Sequence, residues 1–379
     1  MTKIYLIRHA EAEGNYYRRI QGHYNGDITR RGYMQIEALA ERFRNTKLDA
    51  VYASDLQRTQ KTAAALLRYH DLKLNIEPRL KEVGLGIWED EPWGNIAHSD
   101  PEQLSLFGND PARWHVEGSE SFEGLKARIT GIILELAERH EGQTIACISH
   151  GMAIRSLISV ILNLPSDRIT EILHGDNTCV ALINARDGKL ELEYYNDNSH
   201  LQNGLSTFAG QSWWKDSGSV DLSNLRFEPL DMKKDSELYN ACYKEGWEQA
   251  HGTLKGYSPA PYQKAATAVS SADPKTLMKA FRANEFAGII ELDPNRMADI
   301  GAGWLSLVYI VPELRGRGYA VQLIGHAVSY YRRLGRSSLR LHVAETNTRA
   351  LALYDRLSFN CLAVEEGTVV PLRLLEKQL

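Results

Sequence analysis

Cysteine, net charge and long apolar runs are all scarce in this chain of 379 residues. Its four cysteines lie far apart and form no Cys-x-x-Cys pair; they are Cys147, Cys179, Cys242 and Cys361. This spacing provides neither a disulfide framework nor a zinc motif, since both need clustered cysteines. We therefore expect reduced thiols, most of them buried as small apolar side chains.

The other two absences limit the partners that the chain is expected to have. No apolar run is long enough to span a bilayer, and the first strand begins without the charged and apolar segments of a leader peptide. The formal net charge of −4 gives no general attraction to nucleic acid or to anionic membranes. These features predict a cytoplasmic protein whose partners are small molecules.

The length of the chain indicates more than one domain, since single domains usually have fewer than about 250 residues. Up to residue 200, strand-like and helix-like segments alternate, which favours a mostly parallel sheet with helices on both faces. Residues 203–224 are mainly small and polar, and a new series of strands and helices begins at residue 225. We predict an α/β domain at 1–205, a linker at 206–224 and an α+β domain at 225–379.

Chemically active side chains follow four of the predicted strands of the first domain. They are Arg8 and His9 after strand 2–7, Arg58 after strand 48–53, Glu82 after segment 75–80, and His150 with Gly151 after strand 143–149. Ligands of open α/β sheets collect at the carboxyl ends of the strands. Two arginines, two histidines and a glutamate gathered there can handle a phosphate monoester.

Each of these residues has a role in phosphoryl chemistry. The two arginines can bind phosphoryl oxygens in bidentate geometry, and they would lower the pKa of His9 and keep it neutral as a nucleophile. The helix start at Gly151 offers free N–H groups to an anion, and His150 can donate to the phosphoryl oxygens. Glu82 can protonate the leaving alcohol if desolvation raises its pKa.

A wider set of motifs resembles the histidine phosphatase superfamily, to which phosphoglycerate mutase belongs. The motifs are Leu6-Ile7-Arg8-His9-Ala10-Glu11 and residues 20–23, 28–32, 52–59, 80–82, 118–121, 148–151 and 198–201. The resemblance implies a three-layer α/β/α domain of the phosphoglycerate mutase type, a phosphorylated His9 and Glu82 as the proton donor, without a metal. The other residues expected in the pocket are Arg8, Asn15, Arg58, His150 and Gly151.

Two features of the motifs bear on the reaction. Ala10 stands where the family signature has glycine, which affects how closely the backbone can approach a phosphate. Residues 84–91 read Gly-Leu-Gly-Ile-Trp-Glu-Asp-Glu, which resembles the phosphatase branch, and three adjacent carboxylates would repel a bisphosphate. We expect phosphomonoester hydrolysis, with phosphoglycerate mutase-type phosphoryl transfer as the alternative.

A glycine-rich turn joins a strand to a helix in the second domain. The segment Val311-Pro312-Glu313-Leu314-Arg315-Gly316-Arg317-Gly318-Tyr319-Ala320 lies between the apolar strand 304–311 and the amphipathic helix 318–334. Glycines let the backbone approach a phosphate, and N–H groups at a helix start can bind it. Arg315 and Arg317 add positive charge.

Together with Asn347 and Tyr354 on a later helix, this turn resembles the acetyl-CoA loop of the GNAT acetyltransferases, with Ser358 where glycine is common. The resemblance implies an acyl-CoA N-acyltransferase fold, acetyl transfer from acetyl-CoA to an amine, and protonation of the leaving thiolate by Tyr354. Contacts with acetyl-CoA are implied for Val311, Arg315, Gly316, Arg317, Gly318, Tyr319, Ala320, Asn347 and Tyr354.

Two questions about the second domain stay open at the level of sequence. The general base could be Glu291, Asp293 or Glu345, or a carboxylate acting through water. The domain could also bind acetyl-CoA without transferring its acetyl group.

Overall fold

The computed structural model of the chain describes residues 1–202, 204–209 and 223–379. These residues form two compact units. The first holds the described residues up to 209 apart from Pro92–Asn95, and the second holds Pro92–Asn95 and residues 223–379. Most of the predicted linker 206–224 lies outside the described residues.

A six-stranded sheet forms the centre of the first unit. Its strands are β1 (Thr2–Arg8), β2 (Ala50–Ala53), β3 (Leu74–Ile76), β4 (Thr144–Ser149), β5 (Val180–Arg186) and β6 (Lys189–Asp197). Their order is β3-β2-β4-β1-β5-β6. The first four are mutually parallel, whereas β5 and β6 pair antiparallel with their neighbours. The carboxyl ends of the four parallel strands therefore share one edge of the sheet.

Helices connect these strands and cover both faces of the sheet. They are α1 (Glu13–Tyr17), α2 (Arg30–Phe43), α3 (Gln57–Leu67), α4 (Trp93–Ser99), α5 (Pro101–Asn109), α6 (Phe122–Arg139) and α7 (Gly151–Ile161). On one face, Leu39 of α2 and Leu66 of α3 join Ile7 of β1 in a buried apolar cluster. On the other face of β1, the Thr2 hydroxyl donates to the carbonyl of Ala137 in α6 at 2.7 Å. This is the expected three-layer α/β/α architecture.

Short polar side chains start two of the longest helices. The Thr29 hydroxyl accepts the N–H of Gly32 at 3.0 Å, and the Ser121 hydroxyl accepts the N–H of Gly124 at 3.1 Å. Each contact satisfies one of the N–H groups that the first turn of a helix leaves without an intrahelical partner. Ser121 is thus the N-cap of the helix over residues 122–139.

A seven-stranded sheet forms the centre of the second unit. Its strands are β7 (Leu225–Pro229), β8 (Leu277–Arg282), β9 (Glu285–Asp293), β10 (Ala302–Ile310), β11 (Ser338–Ala344), β12 (Asn360–Glu365) and β13 (Leu372–Gln378). In the order β12-β13-β11-β10-β9-β8-β7, only the pair β10 and β11 is parallel. The sheet is mixed, as the α+β prediction requires.

The helices of the second unit are α8 (Ser236–His251), α9 (Pro259–Ala272), α10 (Ala320–Arg333) and α11 (Thr348–Arg356). Tyr239 and Cys242 of α8 pack with Ala266 of α9 against Ile289 of β9. The sequence analysis does not predict α9, because its buried side chains are only Ala266 and Val269 and this small set leaves a weak apolar pattern.

The cysteines have the environments expected from their spacing. Cys147, Cys179 and Cys242 are buried, Cys361 is exposed, and none forms a disulfide. The prediction of free and mostly buried thiols is confirmed. Within the part of the chain that the structure describes, no helix combines the length and the apolar character that crossing a membrane requires.

The Ser121 cap allows a test of local helix stability. Ser121→Ala removes the acceptor of the Gly124 N–H and should lower the free energy of unfolding of the first unit by about 1 kcal/mol. Ser121→Asp keeps an oxygen acceptor at the positive helix end and should retain most of that stability. Urea unfolding followed by circular dichroism measures both variants, and equal losses would contradict the role of the cap.

Candidate active sites

The carboxyl edge of the first sheet gathers the residues predicted for the phosphate pocket. His9 and His150 follow β1 and β4, and their ring centroids are 5.2 Å apart. Arg58 in the first turn of α3 is fully buried, and Glu82 is 8% exposed. The structure therefore brings together side chains from four separate stretches of sequence.

The ring of His9 has a defined tautomer. Its Nδ1 lies 2.8 Å from the carbonyl oxygen of Ala10, and because a carbonyl only accepts, the proton must be on Nδ1. This leaves the lone pair on Nε2. Burial lowers the pKa of His9 well below its ordinary value, and the charges of Arg58 and Arg8 lower it further. His9 is thus a neutral imidazole with one available nitrogen.

Arg58 and His150 are linked directly. The Arg58 Nε–H donates to His150 Nδ1 at 3.2 Å, while its two terminal nitrogens donate to the carbonyls of Tyr24 and Gly22 at 2.7 Å each. His150 must therefore carry its proton on Nε2, which donates to the Ser54 hydroxyl at 2.9 Å. Burial, followed by the charge of Arg58, lowers the pKa of His150. The His150 N–H that was expected to donate to a phosphoryl oxygen thus donates to Ser54 in this structure.

Glu82 occupies the position that the sequence analysis assigned to a bound anion. Its carboxylate accepts the N–H groups of Met152 at 3.0 Å and Ala153 at 2.9 Å in the first turn of α7. It also accepts the N–H of Val83 at 3.0 Å. The expectation of free N–H groups in the helix turn that starts at Gly151 is therefore wrong for Met152 and Ala153. Their N–H groups bind Glu82, because a carboxylate is itself stabilised at a helix N-terminus.

Polar groups of Arg8, Gln21 and Asn177 lack hydrogen-bond partners among the described residues. The Arg8 guanidinium donates from Nη1 to the carbonyl of Gly175 at 2.5 Å, but its buried Nε–H has no acceptor. Both polar atoms of the Gln21 side-chain amide and the side-chain oxygen of Asn177 are also buried and unpartnered. Buried polar groups normally have partners, and the Arg8 Nε–H can donate to an oxygen atom of a ligand. Gln21 lies within the motif 20–23, but the sequence analysis gave it no role.

The sequence analysis also missed the segment that precedes β5. The Asn177 side chain donates to the carbonyl of His9 at 2.9 Å, and the Thr178 N–H donates to the carbonyl of Arg8 at 3.1 Å. Because β5 is antiparallel to β1, residues before its start reach the same edge as residues after the end of β1. A search confined to strand ends therefore could not find them.

In the second unit, β10 and β11 separate along their length. Their parallel ladder pairs residues 302–305 with residues 338–341 and ends there. A bulge in β10 follows between Leu305 and Leu307. The two strands thus leave an opening at their carboxyl ends, next to the predicted phosphate-binding turn.

The turn itself exposes its backbone. Gly316 and Gly318 have φ angles of 79° and 87°, in the region that favours glycine, and nothing lies within 4 Å of the position of a Cβ on either. This open backbone fits the pyrophosphate of acetyl-CoA. The Arg315 guanidinium forms an ion pair with Glu245 and donates to the carbonyl of Ile310 at 2.8 Å. Its charge is therefore already neutralised, unlike the free charge expected from the sequence.

The two predicted acetyl-CoA residues beyond this turn lie on α11. Asn347 is the N-cap of the helix and accepts the N–H of Ala350 at 3.1 Å. Tyr354 is buried beside Phe359, with ring centroids 5.3 Å apart. Burial raises the pKa of Tyr354, so its hydroxyl stays protonated and can donate.

Comparison with known proteins identifies the family of each domain. The family model described as Histidine phosphatase superfamily (branch 1) matches residues 4–198. The chain belongs to the histidine phosphatase superfamily. The model described as Acetyltransferase (GNAT) family matches residues 236–359. The two predicted resemblances are confirmed, and one chain carries both domains.

Curated relatives match the histidine phosphatase domain. Phosphoserine phosphatase 1 of Hydrogenobacter thermophilus is 28% identical over 201 residues, which are 53% of this chain and 95% of that protein. The probable phosphoglycerate mutase GpmB of Enterobacter sp. (strain 638) is 31% identical over 166 residues, 44% of this chain and 77% of that protein. The solved structure of Bacillus stearothermophilus YhfR is 27% identical with a TM-score of 0.52, covering 53% of this chain and all of that one.

The histidine phosphatase domain accommodates alanine at its signature glycine position. Ala10 is fully buried and belongs to the apolar cluster beneath α2 and α3. Its N–H donates to the Thr62 hydroxyl at 2.9 Å. The methyl group therefore contributes to the domain core.

The acidic run at residues 89–91 has a structural role in the histidine phosphatase domain. Glu89 accepts the N–H groups of His23 and Tyr24 at 2.7 Å and 2.9 Å. Asp90 is buried and forms an ion pair with Arg19 at 2.8 Å. Two of the three adjacent carboxylates therefore hold parts of the domain in place.

No group of three or more His, Cys, Asp or Glu side chains is placed to hold a metal ion within residues 1–202, 204–209 and 223–379. The unpartnered Nε–H of Arg8 is instead a charged donor, which suits an anion better than a cation.

The histidine tautomers give a measurable prediction. Because burial and two arginine charges lower the pKa of His9, its ring should stay neutral at pH 5.5, below the ordinary histidine pKa of about 6.5. Nitrogen-15 NMR of the imidazole groups should show the proton of His9 on Nδ1. The signal that is absent from the spectrum of the variant His9→Asn is assigned to His9. A His9 signal of the doubly protonated ring at pH 5.5 would contradict the geometry.

Proposed function

We propose that the first domain hydrolyses phosphomonoesters through a phosphohistidine at His9. The observation that carries this proposal is the Nε2 lone pair of a neutral His9 beside two guanidinium groups. A phosphohistidine intermediate needs a neutral nitrogen nucleophile and positive charge around the phosphoryl oxygens. The relatedness to Phosphoserine phosphatase 1 supports a small phosphorylated metabolite as the substrate class.

In the proposed first step, His9 Nε2 attacks phosphorus, an N–P bond forms and the P–O bond to the alcohol breaks. The unpartnered Arg8 Nε–H and the Gln21 amide donate to the phosphoryl oxygens as negative charge develops there. Glu82 gives a proton to the leaving alcohol. In the second step, water attacks phosphorus and gives a proton to Glu82, and the N–P bond breaks so that His9 is the leaving group.

The substitution His9→Ala tests the nucleophile. Hydrolysis of p-nitrophenyl phosphate and of phosphoserine should fall by about 10³-fold or more, because no other group can form the intermediate. Labelled phosphate should appear on the native protein after denaturation at alkaline pH, where the N–P bond of a phosphohistidine is stable, and be absent from the variant. The exposed His98 serves as a matched control, since His98→Ala should leave the rate unchanged.

Two outcomes would contradict the proposed route. One is retention of hydrolysis in His9→Ala, and the other is loss of hydrolysis when the native protein is treated with EDTA. The second outcome would indicate a metal-dependent reaction that a phosphohistidine does not require.

Phosphoglycerate mutase-type transfer is the alternative for the first domain. The similarity to the probable phosphoglycerate mutase GpmB and the structural use of Glu89 and Asp90 favour keeping it. The two reactions differ in the fate of the phosphoryl group. With 3-phosphoglycerate as substrate, formation of 2-phosphoglycerate faster than release of inorganic phosphate would favour the mutase.

We further propose that the second domain transfers the acetyl group of acetyl-CoA to an amine. The opening between β10 and β11 and the exposed backbone at Gly316 and Gly318 support acetyl-CoA binding there. Tyr354 would protonate the departing thiolate. A module that binds acetyl-CoA without turnover is the alternative, and binding without release of free CoA across a panel of amines would favour it.

The substitution Tyr354→Phe tests the proposed proton donor. The kcat for acetyl transfer should fall by about 10- to 100-fold, while the KM for acetyl-CoA changes little, because only the leaving-group step loses a proton source. Thiol release measured with a colorimetric reagent reports the rate. Tyr330→Phe is a matched control, since the Tyr330 hydroxyl donates to Asp273 away from this helix.

The domain boundaries 1–205, 206–224 and 225–379 and a cytoplasmic location also remain proposals. The amphipathic fold elements and the free cysteines are compatible with that location.

A further inference from the structure

Helix α8 crosses the opening between β10 and β11. In the middle of the helix, Glu245 forms an ion pair with Arg315 in the turn that follows β10. Near the end of the helix, the carbonyl of Ala250 accepts the Thr346 hydroxyl, after β11, at 2.7 Å. The helix also contacts β9, β10 and β11 directly. Side chains of α8 between residues 240 and 250 therefore border the place where the strands separate.

Four aromatic rings cluster at this part of α8, and we name them the aromatic face: Tyr243, Trp247, Tyr257 and Tyr262. Tyr243 and Tyr262 stack with centroids 4.2 Å apart, and Trp247 lies 6.0 Å from Tyr257 and 6.1 Å from Tyr262. All four side chains are only half-buried. The face thus keeps apolar ring surface accessible at the opening, where a ligand could cover it.

Two polar atoms on or beside the aromatic face have no hydrogen-bond partner among the described residues. The indole N–H of Trp247 and the side-chain oxygen of Asn240 are buried and have no hydrogen-bond partner among them. These two residues are seven positions apart on α8, so they lie on the same side of the helix as Tyr243. A buried donor and a buried acceptor beside accessible rings indicate a ligand with both apolar and polar parts.

Glu291 lies beneath the same region. It pairs in register with Leu307, the residue that follows the bulge of β10. Its carboxylate is 4% exposed and accepts the hydroxyl of Tyr239 in α8 at 2.8 Å. Burial raises the pKa of Glu291 to about 7, so its carboxylate can take and release a proton near neutral pH.

The surroundings of Glu291 separate it from the other candidate bases. The titratable groups that face Glu291 are Tyr239 and Tyr243 of α8 and Asp293 of β9. Its neighbours on the adjacent strands β8 and β10 are the apolar residues Leu277 and Leu307. Asp293 accepts two backbone N–H groups, and Glu345 forms an ion pair with Arg373. Both carboxylates are therefore already engaged by other groups of the domain.

We propose that the aromatic face binds the acetyl acceptor, that this acceptor is a primary amine joined to an aromatic group, and that Glu291 takes its proton. This inference rests on the proposed acetyl transfer. The ring surfaces suit an aromatic group and attract a cation. The carboxylates of Glu291 and Asp293 attract an ammonium group and repel an acceptor that carries its own carboxylate.

The proposed step balances in protons and bonds. The ammonium group loses one proton to Glu291, and the neutral nitrogen attacks the thioester carbon. A C–N bond forms and the C–S bond breaks. Tyr354 protonates the departing thiolate, the second proton of the attacking nitrogen passes through water to restore the Tyr354 hydroxyl, and Glu291 returns its proton to water.

Phenethylamine, propylamine and phenylalanine test the acceptor class with the full-length protein. The kcat/KM for phenethylamine should exceed those for the other two by at least tenfold. Trp247→Leu should raise the KM for phenethylamine tenfold or more and leave the KM for acetyl-CoA unchanged, which also shows that the variant is folded. Phe281→Leu is the matched control, because this half-buried aromatic residue of β8 lies outside the aromatic face. Equal KM values for phenethylamine in Trp247→Leu and the native protein would overturn the inference.

The pH profile tests Glu291 separately. Between pH 6 and 8, the kcat/KM for phenethylamine should rise as Glu291 loses its proton. Tyr239→Phe removes a hydrogen bond that lowers the pKa of Glu291, so the rise should move to higher pH. Glu291→Gln should lower kcat by about 100-fold and remove this rise, whereas an unchanged profile would overturn the role of Glu291.

Saturation-transfer NMR separates failure of the inference from failure of the proposed function. Binding of phenethylamine to the native protein that is lost in Trp247→Leu supports the aromatic face even if no acetyl group is transferred. Absence of binding to the native protein overturns the inference. Acetyl transfer to other amines in that case would leave the proposed acetyltransferase activity standing.

Discussion

Arg58 is completely buried, and its guanidinium hydrogen bonds go to two backbone carbonyls and an imidazole. A buried cation without a hydrogen-bonded anion is unfavourable, and burial lowers the pKa of Arg58 to about 10. Arg8 places a second guanidinium in the same region. Burial, together with this positive charge, keeps His9 and His150 neutral, and the charge would favour a phosphoryl group as the ligand. The protonation state of both imidazoles therefore depends on their burial beside the two guanidinium groups.

The sequence could predict this pocket only as far as parallel strands define it. Arg8, His9 and His150 follow strands that end at one edge, so their meeting follows from the alternation of strands and helices. The hydrogen bonds of Glu82 with the first turn of α7 could not be predicted, because they join residues 70 positions apart. Asn177 was missed for a related reason, since it precedes an antiparallel strand.

The second domain shows the same limit more strongly. Its glycine-rich turn was evident because the glycines, the strand and the helix are adjacent in sequence. The separation of β10 and β11 depends on how far their ladder extends, which no local pattern encodes. The aromatic face needs α8 and α9 together, and α9 has too weak an apolar pattern to be predicted. Local turns were therefore predictable, whereas surfaces built by two helices were not.

Burial acts on groups of opposite charge in the two sites. Around His9, burial leaves the charge of Arg58 without a hydrogen-bonded anion, which supports the anionic substrate of the proposed reaction. Around Glu291, burial disfavours the negative charge of a carboxylate and raises its pKa, so a bound ammonium group would be both attracted and deprotonated. The net charge of −4 reflects neither property. In both proposed reactions a few desolvated groups would decide the charge of the substrate, because water screens the many exposed charges far more strongly.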